Sequence, residues 1–583
     1  MKEVGMLNEL WSKLIIKELI HHKVRTFCIA PGSRSTPLTL AAANHPLAET
    51  IIHYDERGLA FHALGYAKGS ERPVALIVTS GSAVGNLLPA IMEAYHDHIP
   101  LILLTADRPP ELRDTGASQA TDQTKIFQNF VHWECDFPCP DPKISQAFIG
   151  TTVAQGVSHA LSEPKGPVHF NCMFRKPLHE MGETPPFSLH LSNRSMHSAE
   201  TMISIGKPQI DEKTFEQIAD ELSEYEKGII LVSGTEKFQN CEKIYALSRL
   251  LQWPIFPDIL SSIRNHGWGS GLISYYDLII KAIGANEDFA PDAILQLGDR
   301  FVSSKLMNWI AIKKPKVHCH IASHIQRKDP IHSVTHRVAT DSEDFIRKLP
   351  NHLSGNPPSK WLETWKELNY LSQRGIASYF KEHSSLSEPY LFHTLMAQGN
   401  PSTLFFFSNS MCIRNGDTFF SPEEPVGTVY GNRGLSGIDG NIATVAGLAK
   451  GSGKPVIACL GDLAFLHDIN SLPLLQNLPV KLIVINNNGG DIFSFLPISE
   501  RKDIFKTYFT TPHNFSFEDA GGLFEIDYES PQIIKDLQEA LSSSRGRIIE
   551  IKTKPNGNKK IYQGILINIK EILSRMETTN LSR

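Results

Sequence analysis

Lys481-Leu-Ile-Val-Ile-Asn-Asn-Asn-Gly-Gly490 is the stretch whose reading decides the fold. Its apolar run shows no polar alternation, which marks a strand buried on both faces, and such strands belong to parallel sheets covered by helices. Val456-Ile-Ala-Cys-Leu-Gly-Asp-Leu463 reads the same way, and the segment between the two is long enough for one crossover helix. Ligands of open parallel sheets gather outside the carboxyl ends of the strands, so Asp462 and Asn487, each just past its run, can converge on one hard cation. Gly489 and Gly490 leave the backbone free to approach closely, which suits a magnesium ion shared between protein oxygens and a diphosphate. Taken alone, Gly461-Asp462 and the Asn-Asn after the second run also fit a pair of tight turns.

Similar runs recur outward from this pair, at Phe27–Ala30, Val74–Val78, Leu101–Leu104, Gly228–Val232, Ala293–Leu297 and Thr403–Phe407. Helical stretches separate them, which predicts an α/β chain of parallel sheets. The Pro- and Ser-rich Glu180–Ser198 and the shorter Leu349–Ser359 break the rhythm and are read as linkers. Three domains follow, 1–185, 200–350 and 365–583, each near an ordinary domain size. The chain has 583 residues, 41% hydrophobic and 20% charged, with a formal net charge of -5. That balance argues against a general nucleic-acid binder, which needs a basic excess. The basic stretch Lys552–Lys560 reads as a solvated loop because Pro555, Gly557 and Asn558 interrupt it. No apolar run has the length of a membrane span, and Asn8–His21 reads as an amphipathic helix. Eight scattered cysteines, several inside apolar runs, read as reduced core thiols and imply a cytoplasmic location.

In the first domain, Ile51-Ile-His-Tyr-Asp-Glu-Arg-Gly58 opens an Ala/Gly-rich helix, Leu59–Lys68, with Asp55 and Glu56 at its positive end. On this pattern alone, ordinary helix capping is the preferred reading of such acids. Pro31-Gly-Ser-Arg-Ser-Thr-Pro37, Val78-Thr-Ser-Gly-Ser-Ala83 and Thr105-Ala-Asp-Arg-Pro-Pro-Glu-Leu112 each follow an apolar run, so their loops should crowd one sheet edge.

Together with Asn432-Arg-Gly-Leu-Ser-Gly-Ile-Asp-Gly440, these motifs make nearly the whole chain resemble the thiamine-diphosphate-dependent enzymes, most weakly in the middle domain. Within them it is most similar to the transferases that act in menaquinone biosynthesis. The resemblance implies three doubly wound parallel-sheet domains of the thiamine-diphosphate-binding fold: pyrimidine-binding, central and diphosphate-binding. It implies decarboxylation of 2-oxoglutarate and addition of the resulting succinic-semialdehyde carbanion to isochorismate. It also implies at least a homodimer, or a dimer of dimers, with active sites at the subunit interface.

By the same resemblance Glu56 is the acid that promotes the imino tautomer of the cofactor's aminopyrimidine. Asp462, Asn487 and the Gly489 carbonyl match the family's magnesium ligands, with manganese as an alternative ion. Ile438 matches the wedge that bends the cofactor, and Ser410, Ile492 and Phe493 complete its contacts. Both substrates are dicarboxylates, so Arg34, Arg108, Arg414, Arg433 and Lys305 are expected to hold them, with Ser33 and Gln119 as neutral partners and Leu496 in an apolar wall.

The chain departs from the family pattern at three places. Leu463 stands where most of these enzymes carry glycine, Ser118 where Asn is common, and Ser304-Lys305 where a Lys-Arg pair is frequent. His318-Cys-His320 with His324 suggests a metal cluster, but strand neighbours point to opposite faces and strand packing explains them. Cys135 and Cys139 have no second pair to complete a zinc or redox motif. Two other functions fit the motifs: a different thiamine-diphosphate enzyme, such as an acetolactate-synthase-like ligase or a 2-oxoacid decarboxylase, or a non-catalytic nucleotide-binding protein.

Overall fold

The computed structural model describes residues 2–179, 198–234, 238, 241–267, 269, 271–543, 546–554 and 557–580. Most of the linker expected at Glu180–Ser198 lies outside them. Six strands lie in the first third: β1 (Thr26–Ile29), β2 (Glu49–Ile52), β3 (Val74–Val78), β4 (Leu101–Asp107), β5 (Glu134–Phe137) and β6 (Val168–Met173). Five follow: β7 (Gly228–Val232), β8 (Ile255–Pro257), β9 (Ala293–Leu297), β10 (Val317–Ala322) and β11 (His336–Ala339). The last six are β12 (Leu404–Phe407), β13 (Val429–Tyr430), β14 (Val456–Gly461), β15 (Val480–Asn486), β16 (Asp527–Glu529) and β17 (Arg547–Lys552).

These strands build three parallel sheets, ordered β2-β1-β3-β4-β6-β5, β11-β10-β9-β7-β8 and β13-β12-β14-β15-β17-β16. Burial explains the arrangement. In β3, Val74, Leu76 and Val78 enter one apolar cluster while Ala75 and Ile77 enter another, so both faces of the sheet are covered. The middle sheet repeats this, with Ile229 and Leu231 on one side and Ile230 and Val232 on the other.

The chain packs as two compact units, one made of 1–206, 432–454 and 464–480, the other of 207–431, 455–463 and 481–583. Within the first, the helix Glu56–Ser70 crosses the helix Asn441–Ser452 at glycines. A Cβ on Gly65 would sit 2.0 Å from the Thr444 carbonyl oxygen, and one on Gly447 2.0 Å from that of His62. Only the absence of side chains lets the two backbones approach this closely.

The N-terminal helix runs from Lys2 to His21, and all eight cysteines are free thiols. Lys552–Lys560 differs from the expected loop. Lys552 ends β17, and the terminal helix Gly557–Asn580 begins before Lys559, whose ammonium donates to the Ser494 carbonyl at 3.2 Å. His318, Cys319 and His320 lie on β10. His318 contacts Ser333 and Gln296 at 2.7 and 3.0 Å, and His320 contacts the Gly298 carbonyl at 3.1 Å, while Cys319 joins the opposite apolar cluster. Among the described residues no helix is long and apolar enough to cross a membrane.

Candidate active site

In the second unit, β14 ends at Gly461 and Asp462 opens the next helix, so its carboxylate stands at the carboxyl edge of the sheet. It is 2% exposed. Oδ1 accepts from the Leu463 N–H at 2.7 Å, and Oδ2 accepts from the Gly489 N–H at 2.8 Å and lies 3.1 Å from His513 Nε2. Burial raises the pKa of Asp462, while these donors pull it back.

Asn487 follows β15 directly. Its amide nitrogen donates to Glu388 Oε1 at 2.9 Å, and its oxygen Oδ1 is buried with no hydrogen-bond partner. An orphaned buried carbonyl oxygen is costly, and here it lies in the same short loop that carries Gly489. Gly489 has φ 131°, and a Cβ there would meet the Thr510 carbonyl oxygen at 2.0 Å, so the loop requires glycine. A carboxylate, an unpaired amide oxygen and a glycine carbonyl make an oxygen donor set that fits magnesium.

The short helix Asp491–Phe495 follows; Ile492 packs on the core and Phe493 meets Phe509 edge-on at 5.6 Å. Leu496, at its end, is 47% exposed. At the end of β12, Ser410 adopts φ 69°, and its carbonyl accepts from Arg414 Nη1 at 2.6 Å. Lys305 donates to Asp277 at 2.7 Å.

In the first unit three loops do crowd the edge of the first sheet. The Arg34 N–H donates to Thr79 Oγ1 at 3.3 Å and its Nη1 to the Phe174 carbonyl at 2.7 Å. Arg108 donates to Ser80 Oγ, and its Nη2 lies 3.5 Å from Gln119 Oε1. Both arginines are buried, which lowers their pKa values, and Arg108 lowers that of Arg34 further. The Asp107 carboxylate acts on both as a partial counter-charge. Ser33 is exposed beside Arg34.

The two acids opening the helix at Glu56 have separate roles. Asp55 is the cap, accepting from the Arg57 and Gly58 N–H groups at 2.9 and 3.3 Å. Glu56 is left to project, half-buried, with Asn86 Nδ2 donating to it at 3.2 Å. The loop 432–440 belongs to this unit. Glu93 accepts from the Gly434 and Leu435 N–H groups at 2.7 and 2.6 Å, and a cavity of about 210 Å³ lies between Phe61, Met92, Leu435 and Asp439. Arg433 is half-buried in that loop and Ile438 is 36% exposed.

Sequence reasoning missed Glu388, His513, Asn86 and Glu93. Glu388 opens the helix Glu388–Leu395, Glu93 lies within the mostly apolar helix Leu88–His96 and His513 in a polar loop, and no spacing ties them to their partners.

Two family models match the chain. The N-terminal TPP-binding domain of thiamine pyrophosphate enzymes covers residues 11–126, and the middle domain of thiamine pyrophosphate enzymes covers 207–407. The fold and these matches define a thiamine-diphosphate-dependent enzyme. Curated relatives include the 2-succinyl-5-enolpyruvyl-6-hydroxy-3-cyclohexene-1-carboxylate synthases of Rubrobacter xylanophilus (38% identical, 96% of this chain and 98% of the relative) and Salinibacter ruber (38%, 95% of each). That of Bacillus velezensis is 35% identical over 92% of this chain and 93% of its own length. The chain belongs to this synthase family within the thiamine-diphosphate enzymes.

Proposed function

We propose that the chain catalyses the thiamine-diphosphate-dependent decarboxylation of 2-oxoglutarate and joins the remaining four-carbon unit to isochorismate, releasing carbon dioxide, as a step of menaquinone biosynthesis. The observation that carries the reading is the similarity to named synthases along nearly the full length of both chains. When bound, the cofactor supplies the electron sink for loss of carbon dioxide and for the new carbon–carbon bond.

The residues divide the remaining work. Asp462, Asn487 Oδ1 and the Gly489 carbonyl hold magnesium, or manganese, and through it the diphosphate; the orphaned Asn487 oxygen supports this. Glu56 hydrogen-bonds the aminopyrimidine and moves a proton at its carboxyl oxygen. Ile438 would pack against the cofactor, Ile492, Phe493 and Leu496 would exclude water, and Ser410 would contribute a polar contact. Arg34, Arg108, Arg414, Arg433 and Lys305 bind the substrate carboxylates, with Ser33 and Gln119 as neutral partners. Residues 1–185, 200–350 and 365–583 act as pyrimidine-binding, central and diphosphate-binding domains. The active form is at least a homodimer in the cytoplasm, with Glu56 of one subunit serving the cofactor anchored by another.

Mass spectrometry of products from 2-oxoglutarate with and without isochorismate tests the reading. The condensed product is expected only when both are supplied. Succinic semialdehyde alone, whatever is added, would refute the synthase function, and calorimetry showing no magnesium-dependent binding of thiamine diphosphate would refute any such enzyme.

A further inference from the structure

His513 lies in the loop 511–517, outside every motif that the sequence singles out, yet its ring meets Asp462. Asp462 Oδ2 carries two donors, the Gly489 N–H at 2.8 Å and His513 Nε2 at 3.1 Å, whereas Oδ1 carries one, the Leu463 N–H at 2.7 Å. A carboxylate oxygen accepts at two lone pairs, so Oδ2 is filled and Oδ1 keeps one lone pair for a further partner. The other ring nitrogen fixes the tautomer. Nδ1 accepts from the Phe515 N–H at 3.0 Å, and a nitrogen that accepts carries no proton, so the ring proton sits on Nε2 and is donated to Asp462.

The contacts that hold the ring form a closed circuit through the proposed metal ligands. Asn488, between Asn487 and Gly489, accepts at Oδ1 from the His513 and Asn514 N–H groups at 2.9 and 2.8 Å, and its Nδ2 donates to Asn514 Oδ1 at 2.8 Å. Asn486 Nδ2 donates to the Phe515 carbonyl at 3.0 Å, and the Gly490 N–H donates to the Thr510 carbonyl at 2.8 Å. The Phe515 ring stacks on His513 at 5.3 Å and 22°, and Phe517 lies beside it at 5.9 Å. The loop after β15 thus fixes the backbone of 510–515, that backbone and its phenylalanines fix the imidazole, and the imidazole holds the carboxylate at the end of β14.

We propose that His513 is a positioning residue for the cation site, holding Asp462 so that Oδ1 is the oxygen offered to the ion. The inference rests on the reading of Asp462, Asn487 and Gly489 as magnesium ligands. His513 itself touches no ion. Without Nε2, Oδ2 loses one of its two donors, and the carboxylate is free to turn about its Cβ–Cγ bond and offer either oxygen. Outer partners of metal ligands typically account for about 10–100-fold in metal affinity.

Two variants of the full-length protein separate this role from simple capping of the loop. His513→Asn places an amide oxygen where Nδ1 stands, able to accept from the N–H two residues on, but has no atom that reaches Asp462. His513→Gln places an amide NH2 near the position of Nε2, able to donate to Asp462, but leaves the Phe515 N–H without its acceptor. Calorimetric magnesium titration in the presence of thiamine diphosphate is expected to show affinity about 10–100-fold below the wild type in His513→Asn and within about threefold of it in His513→Gln. A histidine that only caps its own loop gives the reverse order. Affinity within about threefold of the wild type in His513→Asn, or a loss in His513→Gln as large as in His513→Asn, would overturn the proposal. A wild-type protein that binds no magnesium would overturn the cation site and the positioning role together, so the two failures are told apart.

Discussion

Glu388 offers the sharpest test of how the proposed metal site is built. Its carboxylate is 1% exposed and accepts from two amides, Asn487 Nδ2 at 2.9 Å and Asn415 Nδ2 at 3.2 Å. The first of these bonds fixes the Asn487 amide so that Oδ1 faces the site. Replacing Glu388 by Ala strands two buried N–H donors at about 1–3 kcal/mol each and frees Asn487 to rotate. A lost outer partner of a metal ligand typically lowers metal affinity about 10–100-fold, and that is the loss expected for magnesium here.

Glu388→Gln separates the two effects. Its amide oxygen can still accept from Asn487, but its NH2 group then meets Asn415 Nδ2 donor to donor. Asn415 cannot turn over without losing the Tyr562 hydroxyl that donates to its Oδ1 at 2.9 Å. Glu388→Gln is therefore expected to keep magnesium affinity within about threefold while losing about 1–3 kcal/mol of stability. Calorimetric magnesium titration in the presence of thiamine diphosphate reads the first quantity and urea unfolding the second. Wild-type magnesium affinity in Glu388→Ala, or equal affinity losses in both variants, would refute the orienting role.

Further outcomes follow from other residues. Glu56→Gln should still bind thiamine diphosphate in calorimetry but lose turnover; full turnover would remove Glu56 from its assigned role. Gly65→Ala gains up to about 1 kcal/mol of helix propensity but forces a Cβ into the Thr444 carbonyl, so a net loss of about 1–3 kcal/mol in urea unfolding is expected, and a variant as stable as the wild type would contradict the close crossing. Buried Asp468 accepts from the Ala443 N–H at 2.9 Å and from Ser471 Oγ at 2.7 Å, and burial raises its pKa from 3.8 to about 6. A raised carboxyl pKa gives stability that is full below the unfolded value and lost as pH rises through the folded one, so Asp468→Asn should gain on the wild type by up to about 3 kcal/mol between about pH 4 and pH 6. A stability difference that stays flat across that window would show that Asp468 does not titrate as its burial requires.

How much of this was legible in the sequence depended on burial pattern and on range. Val74–Val78, Gly228–Val232 and Ala293–Leu297 were found with their bounds intact because every position is buried and at most one, Gln296, is polar. β6 was missed because His169 and Asn171 interrupt it; both are buried but satisfied by Thr105, Gln123 and Asp107, partners that only the folded sheet supplies. β5, Glu-Cys-Asp-Phe, is a half-exposed edge strand whose composition resembles a turn. The placement of Asp462 and Asn487 just past β14 and β15 was legible because strand ends announce themselves locally. Glu388 and His513 could not, since their partners lie 99 and 51 residues away.

The glycine crossing of Glu56–Ser70 and Asn441–Ser452 has a consequence for evolution as well as packing. Ala63, Leu64 and Ala67 on one helix and Ala443, Ala446 and Ala449 on the other are already buried, so the contact has no spare volume into which a larger side chain could relax. Gly447 faces the His62 carbonyl oxygen and Gly451 that of Tyr66, so relief by substitution on one helix is blocked by backbone on the other. The segment carrying Glu56 and the segment following Ile438 can therefore drift in sequence only together. The spacing between the proposed acid Glu56 and the proposed wedge Ile438 is thereby set by backbone packing against glycine.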